Sequence, residues 1–245
     1  MKPAYKIAIV AVCSLMAVMV LAAGKPSRFV TEDGVEIVGS MWMPESGNAP
    51  AVILLHMLGR TREDWNGFAE ELQRNGYAVV SIDLRGHGES VKTKDGKTLN
   101  YKQFTDLDYR NMELDVAPVL QFLREDRRVD GNRIAIIGAS IGANVALKVA
   151  ASDPDIEAVV LLSPGKTYHG VATEPAMIEY GQRPILIAAS EDDSYAATSS
   201  RRLKDIAQGD SNLIMYKMAG HGTEMFDSNA DIEDQMVKWL GQNMP

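Results

Sequence analysis

The sequence predicts an α/β protein with a mainly parallel central sheet covered by helices on both faces, an N-terminal hairpin and no large cap. Several short apolar runs lack polar alternation, as in strands buried on both faces. They alternate with segments whose apolar residues recur at helical spacing, which favours parallel strands joined by helices. With 245 residues, 46% of them hydrophobic, the chain can bury one sizeable core, and we do not expect two full domains.

The predicted elements follow one another from residue 25 onward. Residues on both sides of Asp33 and Gly34 alternate in polarity and predict an opening hairpin. Further strands are predicted at Ala51–His56, Tyr77–Asp83, Arg133–Gly138, Ile156–Ser163, Arg183–Ser190 and Ser211–Met218. Helices are predicted at Asp64–Asn75, in one long segment through Met112 and Leu123 that Pro118 is expected to kink, and at Asn144–Ser152, Tyr195–Ala207 and Asp231–Gln242. About twenty residues separate the strands at residues 156–163 and 183–190, too few for a large lid.

Residues 1–24 form a separate leader. Lys2 and Lys6 precede an apolar run of roughly 17 residues that ends in small residues, which is typical of a secretory signal peptide. The run also approaches the length of about 20 residues that spans a membrane, so an uncleaved anchor is the alternative. In both cases we expect residues 25–245 to be exported, to the periplasm or the extracellular space. Cys13 lies in the leader, so the exported part contains no thiol.

Charge and composition exclude several classes of partner. The formal net charge is −8, which opposes binding to nucleic acid or to an anionic membrane surface. The sequence contains neither a glycine-rich phosphate loop nor histidines at metal-ligand spacing, so we expect no cofactor and no metal. The oligomeric state is left open. The predicted partner is a small molecule, and membrane contact is expected only through an uncleaved leader.

A serine lies at one strand-to-helix junction. Ser140 is the central residue of G-A-S-I-G, between Gly138 and Gly142, where the chain must turn sharply and leaves little room for a side chain. Such a turn lifts the serine above the carboxyl end of a strand, where open α/β sheets bind ligands. A tight turn without chemistry is the alternative interpretation. A catalytic serine needs a base and a group that orients the base.

Candidates for both groups follow Ser140. In this architecture the chain order is nucleophile, acid, histidine. His221, in a glycine-flanked loop after the last predicted strand, fits this order, whereas His169 precedes every acid candidate. The acid is expected in S-E-D-D, which supplies Glu191, Asp192 and Asp193, and composition does not choose among them. These acids are equally compatible with a solvated helix start.

Several segments resemble the α/β-hydrolase superfamily, and more narrowly its small lidless serine hydrolases of the dienelactone-hydrolase and acyl-thioesterase-like group. These segments are LLHMLGRTREDW, SIDLRGHGES, GASIGA, PILIAASEDDSYA and MAGHGTEMF, and they occur in the family's order between Ala51 and Leu240. The resemblance implies a triad acid at the end of a four-residue turn, which makes Asp193 the first choice and Asp192 the reserve. It also implies an oxyanion hole formed by the backbone N–H groups of Leu58 and Ile141.

The sequence departs from the family's pattern at Met57, where glycine is common. We expect this bulkier residue to narrow the pocket or to change the backbone of its loop. His56 is expected to be a structural hydrogen-bonding residue, and R-G-H-G-E-S to shape a turn. Met57 and Tyr168 are the candidate substrate-binding residues, with His169 and residues 91–102 as further candidate walls.

Three functions are compatible with these residues. The first is an exported serine hydrolase that cleaves a carboxylic ester or thioester through an acyl-enzyme formed on Ser140, with His221 as base and Asp193 as its orienting acid. The second keeps this triad in an acyltransferase or an amidase. The third is a non-catalytic binding protein on a hydrolase fold.

Overall fold

The computed structural model describes residues 24–45, 47–228 and 231–244. All of the predicted leader except residue 24 lies outside the described residues. Among the described helices, none is long and apolar enough to cross a membrane.

One large sheet dominates the described part of the chain. Its principal strands are β1 (Lys25–Val30), β2 (Val35–Trp42), β3 (Ala49–Leu55), β4 (Ala78–Ile82), β5 (Val129–Ala139), β6 (Ile156–Leu162), β7 (Ile185–Ser190) and β8 (Ser211–Tyr216). Their order across the sheet is β1-β2-β4-β3-β5-β6-β7-β8, and the short strand Lys92–Thr93 pairs with β2. The predicted hairpin joins β1 to β2, and β2 pairs antiparallel with β4. All remaining pairs among these principal strands are parallel, which confirms the predicted fold class.

Helices cover both faces of the sheet. They are α1 (Asn66–Arg74), α2 (Asp106–Arg110), α3 (Ala117–Glu125), α4 (Ile141–Ser152), α5 (Glu174–Tyr180), α6 (Ser194–Ile206), α7 (Met225–Ser228) and α8 (Asp231–Asn243). Buried residues of α3, α4, α5 and α6 pack with Ile53 and Leu55 on one face. Buried residues of α1 and α8 pack with Val52 and Leu54 on the other. Because β3 is buried on both faces, its sequence is a continuous apolar run.

The predicted single helix through Met112 and Leu123 was wrong. The chain instead forms α2, a 3₁₀ segment at Asn111–Asp115, and then α3. Asp115 is fully buried and accepts hydrogen bonds from the backbone N and Nε of Arg85, at 2.8 and 2.7 Å. Pro118 lies in the first turn of α3, where its missing N–H breaks no helical hydrogen bond. It therefore helps to begin a helix and does not kink one.

Candidate active site

Ser140 occupies a strained position between β5 and α4. Its φ and ψ angles are 54° and −120°, and its N–H donates to the carbonyl of Leu162 at 2.8 Å. A Cβ at Gly142 would lie 2.6 Å from the carbonyl oxygen of His56, and one at Gly138 would overlap the backbone of Gly142. Both glycines of the motif are thus required by close backbone packing. Backbone strain of this kind is often stored at functional sites.

Asp193 and His221 are brought together at the carboxyl ends of β7 and β8. Oδ2 of Asp193 lies 2.5 Å from Nδ1 of His221. The other carboxylate oxygen, Oδ1, accepts a hydrogen bond from the Ala196 N–H at 3.3 Å and so caps α6. Gly220 and Gly222, on either side of the histidine, have φ angles of 76° and 59°. Asp193 therefore both begins a helix and holds the imidazole.

The neighbouring acids face other groups. Asp192 accepts a hydrogen bond from the Ser190 hydroxyl, which lowers the pKa of the Asp192 carboxyl. The Ser190 oxygen in turn accepts from the Ala219 N–H at 2.8 Å, so Asp192 stabilises the turn between β7 and the histidine loop. Glu191 forms an ion pair with Arg201 on α6. Of these three acids, only Asp193 contacts His221.

The two proposed oxyanion donors both line the cavity above Ser140. Leu58 lies in the loop after β3, and Ile141 is the first residue of α4. Within the described residues, neither backbone N–H donates a hydrogen bond to another backbone or side-chain group. The hydroxyl of Tyr101 lies 3.1 Å from where a Cβ of Gly59 would stand, so this tyrosine packs closely against the Leu58 loop.

Met57 forms a buried part of the cavity wall. A Cβ at Gly222 would overlap the Met57 side chain and would lie 3.3 Å from the Cβ of Ala139. The thioether therefore fills the space between the loop after β3 and the loop that carries His221. Met57 is thus one of the residues that line the cavity, and its role in substrate binding stays a prediction.

The cavity at Ser140 has a volume of about 350 Å³. Its lining residues are Met57, Leu58, Arg60, Ser140, Ile141, Tyr168, His169, His221 and Glu224. His169 stacks on Tyr109, with ring centroids 4.1 Å apart. Residues 91–102 are not among the lining residues, so the expectation that they form a wall was wrong. Tyr101, which belongs to this segment, packs instead against Gly59 in the Leu58 loop.

His56 and His87 have structural positions beneath the site. Nε2 of His56 accepts the Leu84 N–H at 2.9 Å, so Nδ1 carries the proton and donates to the Met57 carbonyl at 2.7 Å. Burial, together with the nearby ring of His87, lowers the pKa of His56 to about 4. His87 stacks on Tyr101, with ring centroids 4.0 Å apart. His56 is therefore a neutral hydrogen-bonding residue, as its sequence position predicted.

The segment R-G-H-G-E-S forms a turn in which Arg85 and Glu89 make ion pairs. Arg85 binds Asp33 at 2.7 Å as well as the buried Asp115. Glu89 binds Arg62 at 2.5 Å, and Arg62 also pairs with the buried Asp83. These charges are engaged with one another and do not line the cavity. Within the described residues, no group of three or more His, Cys, Asp or Glu side chains could hold a metal ion.

Comparison with known families identifies the class of protein. Residues 47–183, more than half of the chain, match the family described as serine aminopeptidase, S33. The chain belongs to this family of α/β hydrolases. The membership confirms the predicted resemblance and the prediction of a hydrolytic enzyme. The matched residues include Ser140 and both proposed oxyanion donors, and they end before β7.

Individual relatives of this α/β hydrolase agree with that assignment. Esterase FrsA of Yersinia pestis is 30% identical over 144 residues, which are 57% of this chain and 32% of the relative. The chain thus spans about a third of the length of the curated relatives it matches. The esterase Pf2001 of Pyrococcus furiosus has a TM-score of 0.70 at 20% identity, covering 91% of this chain and 93% of that one. A dienelactone hydrolase of Anabaena variabilis has a TM-score of 0.68 at 18% identity, covering 90% and 99%.

Sequence reasoning missed four polar residues around the cavity. Arg60 and Glu224 line it, and Arg60 is held by Asp64 at 2.7 Å. Asn144 is fully buried one turn after Ser140, where a polar residue interrupts an apolar helix face. A polar residue on an otherwise apolar helix face could have marked Asn144 as a buried hydrogen-bonding residue. Tyr195, the fourth, had no comparable signal, because its partner is the backbone of Thr167, which is distant in the sequence.

Proposed function

We propose that this α/β hydrolase is a serine esterase that cleaves a small carboxylic ester or thioester through an acyl-enzyme. The observation that carries the proposal is the contact of 2.5 Å between Asp193 and His221, whose ring lines the same cavity as the strained Ser140. A serine hydroxyl becomes an effective nucleophile only when a positioned base removes its proton. His221 is that base, and Asp193 keeps its ring in the tautomer that leaves Nε2 free to accept.

Acylation begins when Oγ of Ser140 attacks the substrate carbonyl carbon and its proton passes to Nε2 of His221. The carbonyl oxygen becomes an oxyanion, which the N–H groups of Leu58 and Ile141 stabilise. When the tetrahedral intermediate collapses, the bond to the leaving group breaks. His221 gives its proton to the departing oxygen or sulfur, and the acyl group stays on Ser140.

Deacylation repeats these steps with water. His221 removes a proton from water as the oxygen attacks the acyl carbon, and the same two N–H groups hold the second oxyanion. Collapse releases the carboxylic acid and returns the proton to Ser140. The cavity of about 350 Å³ lies at the small end of ligand pockets, which supports a short acyl substrate.

A second candidate is cleavage of a small amide or peptide bond. The description of the matched family, serine aminopeptidase, favours this reaction. An aminopeptidase must recognise a free amino group, and the carboxylate of Glu224 lines the cavity. That carboxylate already accepts the backbone N–H of His221 at 2.9 Å, so it is partly engaged. We therefore rank the ester reaction first. Comparing kcat/KM for an ester and an amide of the same acyl group separates the two.

The first test is labelling with a fluorophosphonate probe, which reacts with activated serines. We expect the wild-type chain to be labelled and Ser140→Ala to remain unlabelled. A folded wild-type chain that is not labelled would overturn the proposed mechanism and would support a binding protein on a hydrolase fold.

We also propose that the enzyme is exported. The support is the pattern of residues 1–24, two lysines followed by an apolar run that ends in small residues. Cell fractionation together with the mass of the mature chain tests this proposal. Full-length chain in the cytoplasm would overturn it, and full-length chain in the membrane would support the anchor.

A further inference from the structure

Sheet order places Tyr168 on the histidine side of Ser140. Ser140 follows β5, whose neighbour on one side is β3, the strand that leads to Leu58. On the other side lie β6, β7 and β8, which lead to Tyr168, Asp193 and His221 in turn. In the proposed mechanism the oxyanion lies at the Leu58 side, and the leaving group departs on the side where His221 protonates it. Tyr168 is therefore beside the path of the leaving group.

The hydroxyl of Tyr168 is available to a substrate. Tyr168 lines the same cavity as Ser140 and His221. Its protein acceptor, the carbonyl of Ser163, is 3.4 Å away, longer than a good hydrogen bond from a hydroxyl. The Tyr168 ring is edge-on to that of His221, with centroids 6.3 Å apart. Burial and the charge of Asp193 raise the pKa of Tyr168, so the phenol keeps its proton.

A hairpin holds Tyr168 in this position. The strand pair Thr167–Tyr168 and Val171–Ala172 is joined by His169 and Gly170, both with positive φ, as a tight hairpin turn requires. The Tyr195 hydroxyl accepts the Thr167 N–H at 3.0 Å and donates to the Thr167 carbonyl at 2.9 Å. Because Tyr195 lies at the start of α6, this contact ties the hairpin to the helix that Asp193 caps.

Asn144 ties the same hairpin to the nucleophile. Its Oδ1 accepts the Gly165 N–H at 3.0 Å, and its Nδ2 donates to the Val171 carbonyl at 2.7 Å. A Cβ on Gly165 would lie 2.6 Å from the ring of Tyr168, so the ring packs closely against this glycine. Since Asn144 belongs to the helix that begins after Ser140, the hydroxyl of Tyr168 and the nucleophile are fixed relative to each other before substrate binds.

We propose that Tyr168 donates a hydrogen bond to the leaving-group oxygen and thereby makes this enzyme selective for oxygen esters of alkyl alcohols. The inference rests on the proposed function and narrows its substrate class. When the carbon–oxygen bond breaks, its electron pair moves onto the alcohol oxygen, His221 supplies the proton, and Tyr168 keeps its own. An alkoxide gathers more negative charge than an aryl oxide and accepts a hydrogen bond better than a thiolate, so alkyl esters gain most from this donor.

The test is Tyr168→Phe, measured by kcat/KM on ethyl acetate, phenyl acetate, 4-nitrophenyl acetate and S-ethyl thioacetate. This parameter reports the acylation step, in which the leaving group departs. We expect a loss of roughly ten- to a hundredfold with ethyl acetate, the effect of one hydrogen bond to a developing charge, and less than about threefold with 4-nitrophenyl acetate and the thioester. Near wild-type rates on the nitrophenyl ester also show that the variant is folded.

Tyr180→Phe is the matched control, because its phenol donates to the Pro184 carbonyl at 2.7 Å and does not line the cavity. We expect this variant to keep the wild-type order of the four substrates. An equal loss by Tyr168→Phe on all four would overturn the inference, as would wild-type turnover of the aryl ester without turnover of ethyl acetate. In both outcomes the esterase proposal stands. A wild-type chain that cleaves none of them overturns the proposed function as well.

Discussion

Oδ2 of Asp193 lies 2.5 Å from Nδ1 of His221, while the carboxylate one residue earlier binds the Ser190 hydroxyl. We expect Asp193→Asn to lower kcat by roughly a thousandfold or more, because an amide can hold the ring in the wrong tautomer. Asp192→Asn, the matched control, is expected to change kcat by less than about tenfold, because Asp192 acts only on the turn. Steady-state kinetics of both variants decide the assignment, and a larger loss at Asp192 would reverse it.

The backbone conformation of Ser140 predicts that glycine is more stabilising than alanine at this position, the reverse of the usual order. With φ at 54° and ψ at −120°, a residue with a side chain pays a conformational penalty that glycine avoids. We expect Ser140→Gly to be more stable than Ser140→Ala by about 1 kcal/mol, although alanine is normally the more stabilising residue. Denaturant unfolding measures the difference. Equal stabilities would show that the turn relaxes when the hydroxyl is removed.

The side chain of Met57 predicts a change of acyl preference. Removing it opens space between Gly222 and Ala139, so we expect Met57→Ala to raise kcat/KM for longer acyl chains relative to acetate. The variant should also lose about 2 to 5 kcal/mol of unfolding free energy, as buried methionines do when truncated. Met236→Ala, in the same core cluster on α8, is the control. A similar loss of stability without a change in acyl preference is expected there, and parallel changes in preference would contradict the assignment of Met57.

His56 predicts sensitivity to acid. Burial lowers its pKa to about 4, whereas the unfolded residue titrates near 6.5, so between these values the unfolded state binds a proton that the folded state does not. The unfolding free energy must then fall as the pH drops through this window, by up to about 3 kcal/mol from this residue. We expect His56→Gln to be less stable at pH 7 but to show a shallower decline toward pH 4. Parallel declines in denaturant unfolding would exclude this cause.

The sheet was predictable because its strands are buried on both faces, which leaves uninterrupted apolar runs such as the one that became β3. The helix through Met112 was predicted as one piece because its apolar spacing continues across residue 115. A carboxylate there turns inward to pair with Arg85, and that partner comes from a distant loop. Periodicity within one segment carries no information about such a contact, so the interruption appears only in the structure.

The candidate site shows the same limit: its local features were predictable from the sequence, and its long-range contacts were not. The glycines on either side of Ser140 predicted the turn, because a sharp turn leaves no room for side chains at those two positions. The residues alone left the choice between Asp192 and Asp193 open, and only the family resemblance put Asp193 first, because two adjacent carboxylates have the same chemistry and differ only in direction. The Ser190 hydroxyl donates a hydrogen bond to Asp192 and so holds this carboxylate away from His221. Likewise, the ties from Asn144 and Tyr195 to the Tyr168 hairpin join residues that only the fold brings together.

The sheet order also divides the enzyme into two pieces with different tasks. In the proposed mechanism the nucleophile, both backbone donors and the Tyr168 hairpin come from residues before β7, whereas the acid and the histidine follow β7 and β8. Cutting the chain between α5 and β7 would leave acyl binding on one fragment and proton transfer on the other. On the proposed mechanism we expect neither fragment to turn over an ester alone, and activity to return only when β7 pairs again with β6. The connection between α5 and β7 is therefore a suitable site at which to split the chain. Recovered activity would then measure the association of the two fragments.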